Sequence, residues 1–138
     1  MRIVYLIFIV LIMASCGSDE TRERAEMIEK VMAIHDEVMP EMGKINSFRR
    51  DALHQAEVLF SDSLKANDED AMVLENLAIE LEAANESMMA WMRSYHNNFE
   101  DMEHEEVMDY LKEKEKEINE VKVNMLGAIE KAEETLGN

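Results

Sequence analysis

The sequence predicts an all-α fold, an antiparallel three-helix bundle whose long first helix is kinked near Pro40. Three observations point there. From Glu20 almost to the last residue, apolar side chains recur at three- and four-residue spacing, the mark of helices with one buried face. Only one proline and four glycines interrupt 138 residues, and charged residues make up 33% against 6% aromatic, which is bundle composition. That length allows one domain with a modest core.

The N-terminus reads as a processing segment. Met1 and Arg2 form a short basic region, and Ile3 to Met13 is an unbroken apolar run. As a helix this run is too short to cross about 30 Å of hydrocarbon, so residues 1–15 are expected to be a cleaved signal peptide. Met13, Ala14, Ser15 and Cys16 resemble the lipobox of bacterial lipoproteins, in which small residues precede a lipidated cysteine; Met13 stands where leucine is usual. The resemblance implies a diacylglyceryl group on Cys16. Two acyl chains, at about 0.8 kcal/mol per buried methylene, anchor a protein stably. Cys16 is the only cysteine, so a disulfide within the chain is excluded.

Residues 16–19 are expected to be the lipidated cysteine and a short tether, and residues 20–138 the helical domain. Gly17, Ser18, Asp19 and Glu20 resemble the Ser-plus-acid tract of surface-exported Bacteroidota lipoproteins. The expected location is therefore the bacterial envelope, lipid-anchored at the outer membrane, with either the periplasmic or the outer face open. A formal charge of -17 excludes a nucleic-acid partner, because phosphate binding depends on Lys and Arg displacing counterions. The same charge keeps the domain off anionic headgroups.

The first helix carries Ile28, Val31, Met32, Val38, Met39, Met42, Ile45, Ala52, Leu53, Ala56, Leu59, Phe60 and Leu64 on one stripe, with His35 among them. The stripe passes Pro40 and Gly43 in register. This favours one kinked helix, with a break at Met39 to Gly43 and a four-helix bundle as the alternative. Lys65 to Asp70 form the clearest boundary, where Asn67 or Asp68 suits a helix cap. The acidic cluster lacks the alternating oxygens, glycine and distal glutamate of a calcium loop. The next helix presents Leu74, Leu77, Ala78, Leu81, Ala84, Met88, Trp91, Met92 and Tyr95, and ends between His96 and Glu100. The last shows His104, Val107, Met108, Leu111, Ile118, Val121, Met125, Ile129, Ala132 and Leu136, and stops at Gly137. The Lys112 to Glu117 run, KEKEKE, reads as a solvated face.

Folding the chain about midpoints near residues 67 and 101 sets Leu136 level with Lys65 to Asn67. The segment before His35 is then expected to project uncovered toward the membrane. Its apolar residues Ile28, Val31 and Met32 are candidate contacts for self-association or for an envelope protein. The same alignment gathers His35, Met39, Met92, His96, His104 and Met108 at one end. Thioethers and imidazoles suit copper(I), and the histidines alone suit zinc. Trp91 beside Met88, Met89 and Met92 is similar, in residue type only, to the ligands of periplasmic copper carriers, which are small β-barrels. Against the metal reading, methionine is a common filler of helical cores.

Other chemistries lack their residues. Asp51 with His54 and Asp101 with His104 have di-iron spacing without facing carboxylates at the same level. CxxCH, HExxH, GxSxG and phosphate-cradling glycine motifs are absent from the sequence. Taken together, MASC, HDEVMPEMGKI, SMMAWMRSY and the Glu/Lys-rich last helix resemble small uncharacterised lipoproteins of flavobacteria and other Bacteroidota. Some of these are labelled viral A-type inclusion proteins. The resemblance implies a helical lipoprotein and carries no activity or site residue. The expected function is non-enzymatic: a helical protein-interaction or structural module of the envelope, with soft-metal binding as the alternative.

Overall fold

The structure is a computed structural model that describes the backbone of residues 2–61 and 68–137 and the side chains of residues 19–61 and 69–137. It is all-α. The elements are α1 (Arg2–Val38), α2 (Glu41–Ser61), α3 (Asp68–Ser94) and α4 (His104–Leu136), and among the described residues there is no strand. The expected signal and tether share the α1 backbone; Cys16 and Leu64 have side chains outside the described residues.

The packing follows from a seven-residue repeat. Val31, Val38, Ile45 and Ala52 are all at most 1% exposed and stand seven apart, although Pro40 falls between the second and third. Leu111, Ile118, Met125 and Ala132 are fully buried at the same spacing on α4, and Leu74, Leu81 and Met88 repeat it on α3. A period of seven keeps one seam of each helix turned inward along its whole length.

Pro40 has no N–H to give and crowds the preceding turn. Around it the ladder tightens: Met42 N–H reaches Met39 O and Gly43 N–H reaches Pro40 O, both at 3.3 Å. An added Cβ at Gly43 would meet nothing within 4 Å, so the break belongs to the proline. Because α1 and α2 do not pack side by side, they form one rod kinked at 39–40, not a hairpin. The alternative four-helix bundle therefore does not arise, although the helical segments among the described residues number four.

α2 packs on α3 and α4, α1 packs on α4, and α3 packs on α4. Arg49 meets Glu82 and Asn46 meets Asn85, which makes α2 and α3 antiparallel. Lys30–Glu115, Glu37–Lys122 and Lys44–Glu133 advance together along both chains, so the kinked rod and α4 are parallel. Glu106 accepts from the Glu103 N–H at the start of α4, and Gly137, at φ 72°, closes its end by donating to Glu133 O. At φ 72° glycine avoids the steric strain other residues meet.

The structure corrects the expected register. Residues 95–103 are non-helical and run on beyond α3 before α4 begins. Ser94, at the end of α3, already lies beside Tyr110 and Lys114, more than a turn into α4. An extended residue advances up to about 3.3 Å against 1.5 Å in a helix, so the linker carries α4 toward the N-terminal end of α1. Arg24, not His35, is level with His104. The last turns of α4 reach Lys44 and Glu80; residues 65–67, expected level with Leu136, lie outside the described residues.

Two burial expectations change with it. α4 covers the N-terminal part of α1: Val31 is fully buried, and Ile28 and Met32 are half-buried, so this face is not the free contact surface expected. Leu53 and Phe60 at the other end and Met39 at the kink, all expected inside, are 43%, 47% and 38% exposed. The KEKEKE run is not wholly solvated either. Lys114 is buried on the α4 seam, where its Nζ donates to Ser94 Oγ at 3.0 Å and to Glu117 at 2.7 Å.

Candidate functional site

The six residues expected to form a metal site fall into separate surroundings. His35 lies on α1 with its ring 5.5 Å from that of Trp91 and its Nδ1 2.9 Å from Asp36 Oδ1. His96 follows α3; its ring is 4.5 Å from Tyr110 and 5.8 Å from Phe99, and its backbone N–H donates to the Tyr110 hydroxyl at 2.8 Å. His104 opens α4. Its Nδ1 accepts from Arg24 Nε at 3.0 Å, which leaves the proton on Nε2, 3.2 Å from Glu23 Oε2.

Met39 is exposed at the kink, Met92 packs against the core, and Met108 is buried. His104 therefore stands apart, at Arg24 and Glu23, while His35 and His96 are linked only through intervening aromatic rings. Among the described residues no group of three or more His, Cys, Asp or Glu is placed to hold a metal ion. The cause is the longer advance of the 95–103 linker, which draws His104 away from His35.

What gathers instead is an aromatic stack. Trp91 stacks on His35 and, at 5.1 Å, on Tyr95; Tyr95 stands 6.4 Å from Tyr110, which meets His96 and Phe99. Trp91 Nε1 donates to Lys114 O at 3.2 Å, and the Lys114 ammonium sits 5.6 Å over the Tyr110 ring. The Tyr95 hydroxyl is buried without a hydrogen-bond partner. Burial, with a smaller contribution from Tyr110, holds its ionisation above the usual tyrosine range. The stack joins α1, α3, the 95–103 linker and α4 near the bundle's N-terminal end, with Trp91 buried, His35, Tyr95, Phe99 and Tyr110 half-buried and His96 exposed. Sequence reading found its members singly and missed their stacking.

The free apolar surface is at the opposite end. Beyond the reach of α4, the α2–α3 hairpin exposes Val58 at 51%, Phe60 at 47%, Met72 at 57% and Val73 at 49%. Lower on the same hairpin, Leu53 and Ile79 flank a shallow groove with Arg49, Glu75, Ala78 and Glu82. The seam here is narrow, with Ala56, Ala71 and Leu74 buried. Exposed Glu57, Glu69, Asp70 and Glu75 border the patch. The sequence signal for it was the 95–103 linker, whose extended course shifts α4 toward the N-terminal end of α1 and away from residues 57–61 and 69–74.

Among the described residues no helix is long and apolar enough to cross a membrane. Comparison with protein-family models, with curated proteins and with solved structures gives no match for this chain.

Proposed function

We propose that the chain is a lipid-anchored, non-enzymatic helical module of the bacterial envelope that holds a partner protein at the far end of its bundle. The observation that carries the reading is the exposure of Val58, Phe60, Met72 and Val73 at the end where two helices run on without a third. Single surface apolar residues need no explanation, whereas four large ones left in water at the same end of a bundle support a contact surface there. The lipobox at Ala14 to Cys16 and the likeness to Bacteroidota lipoproteins support the anchor.

The partner's chemistry follows from the border. Glu57, Glu69, Asp70 and Glu75 favour an apolar surface flanked by Lys or Arg, and the charge of -17 opposes a second copy of the same chain. The helical rod from Glu20 to Ser61 is about 60 Å long at 1.5 Å per residue, so the partner is held well away from the lipid.

A photoreactive amino acid in place of Phe60, in the native host, tests this. The expected result is an adduct with one distinct protein, lost on Met72→Asp and absent when the probe replaces Glu113 on the outer face of α4. Equal labelling from both positions, or an adduct only of doubled mass, contradicts the partner. A Cys16→Ser protein that still fractionates with membranes contradicts the anchor.

A further inference from the structure

We propose that Met39, Met72 and Met89 are sulfoxidation sites for two-electron oxidants, hydrogen peroxide and hypohalous acids, and that they take up oxygen without unfolding the bundle. Methionine is abundant, 13 of 138 residues, and the fold sorts it sharply. Met72 is 57% exposed, Met39 38% and Met89 37%, whereas Met88 and Met125 are fully buried and Met108 is 5% exposed. Met88 and Met89 are neighbours in sequence about 100° apart around α3, so the same local chain offers one exposed and one sheltered thioether. The exposed three lie apart, at the kink, at the distal hairpin and on the outer face of α3, and oxygen on one does not crowd another.

The chemistry balances with the oxidant alone. A sulfur lone pair attacks one peroxide oxygen, the O–O bond breaks, and the departing hydroxide takes the remaining proton to leave as water. With hypochlorous acid the O–Cl bond breaks, chloride leaves and the proton goes to solvent. In each case sulfur loses two electrons and the oxidant gains them. The product is a polar sulfoxide, tolerated where the side chain already faces water and costly on an apolar seam. Met72 is also one of the exposed apolar residues at the α2–α3 end, so its sulfoxide makes that end more polar.

The test treats the full chain with rising equivalents of hypochlorous acid. It maps sulfoxides by fragment mass spectrometry over residues 23–137 and follows helicity by circular dichroism. Oxygen is expected first at Met72, Met39 and Met89, with half-buried Met27, Met32, Met42, Met92 and Met102 following, and with helicity unchanged until Met88 or Met125 reacts. A Met39→Leu/Met72→Leu/Met89→Leu protein is expected to fold and to consume about three fewer equivalents before helicity falls. Sulfoxide at Met88 as early as at Met89, helix loss within the first additions, or equal consumption by the triple variant would overturn the proposal.

Discussion

The two ends of the bundle carry the same seven-residue pattern and reach opposite outcomes. At the N-terminal end three helices meet, and Val31, Val38, Met88, Leu111 and Ile118 are closed off from water. His35, Trp91, Tyr95 and Tyr110 stack across them, and Arg24–His104, Lys30–Glu115 and Glu37–Lys122 line the α1–α4 border. At the far end only α2 and α3 remain. Two helices bury one narrow seam, here filled by Ala56, Ala71 and Leu74, and Phe60 and Met72 stay in water. Burial at a given heptad position is decided by how many neighbours reach it, which the pattern itself does not state.

Substitutions should separate the ends, beginning with the largest effect. Lys114→Glu places an acid beside Glu117 on the closed seam and removes the cation held by Ser94 and the Tyr110 ring. We expect a loss of about 4 kcal/mol in urea unfolding, as for breaking a buried ionic contact. Leu111→Ala, at a fully buried site, should cost about 3 kcal/mol by the same measurement. A cost under about 1 kcal/mol would show that the three-helix end packs no better than the hairpin.

Tyr95 sharpens the comparison through pH. Its folded-state ionisation lies above the ordinary value of 10.0, chiefly through burial. The fold therefore holds the proton more firmly than the unfolded chain does. The stability contributed is present below pH 10 and is lost as pH rises through the unfolded and then the folded value. Tyr95→Phe should flatten the alkaline fall in stability between pH 9 and the highest pH at which the protein stays soluble. An unchanged slope would place the titrating group elsewhere. The smallest effect is expected at the far end, where Phe60→Ala should change unfolding free energy by about 0.5 kcal/mol or less.

Much of the fold was legible in the sequence, for identifiable reasons. Val31, Val38, Ile45 and Ala52 keep their spacing across Pro40, so the kinked rod could be read directly. Leu74 to Trp91 and Val107 to Ala132 declared their buried faces in the same way. The candidate site was not legible. Its expectation rested on the level of His104, which depends on how far nine non-helical residues travel, and residue counting treats an extended and a helical step alike. Lys114 escaped for another reason: in a run of alternating Lys and Glu, nothing in composition marks the one ammonium that turns inward to Ser94.

The parallel course of α1 and α4 has a mechanical meaning. A pull on the N-terminus along the bundle axis slides α1 against α4, so that Arg24–His104, Lys30–Glu115 and Glu37–Lys122 are strained together in shear and not peeled one after another. Past Val38 the tension crosses Pro40 into α2, which is gripped by both α3 and α4. The proline thus joins a segment held chiefly by α4, with α3 touching it at the His35–Trp91 stack, to a segment held by both α3 and α4.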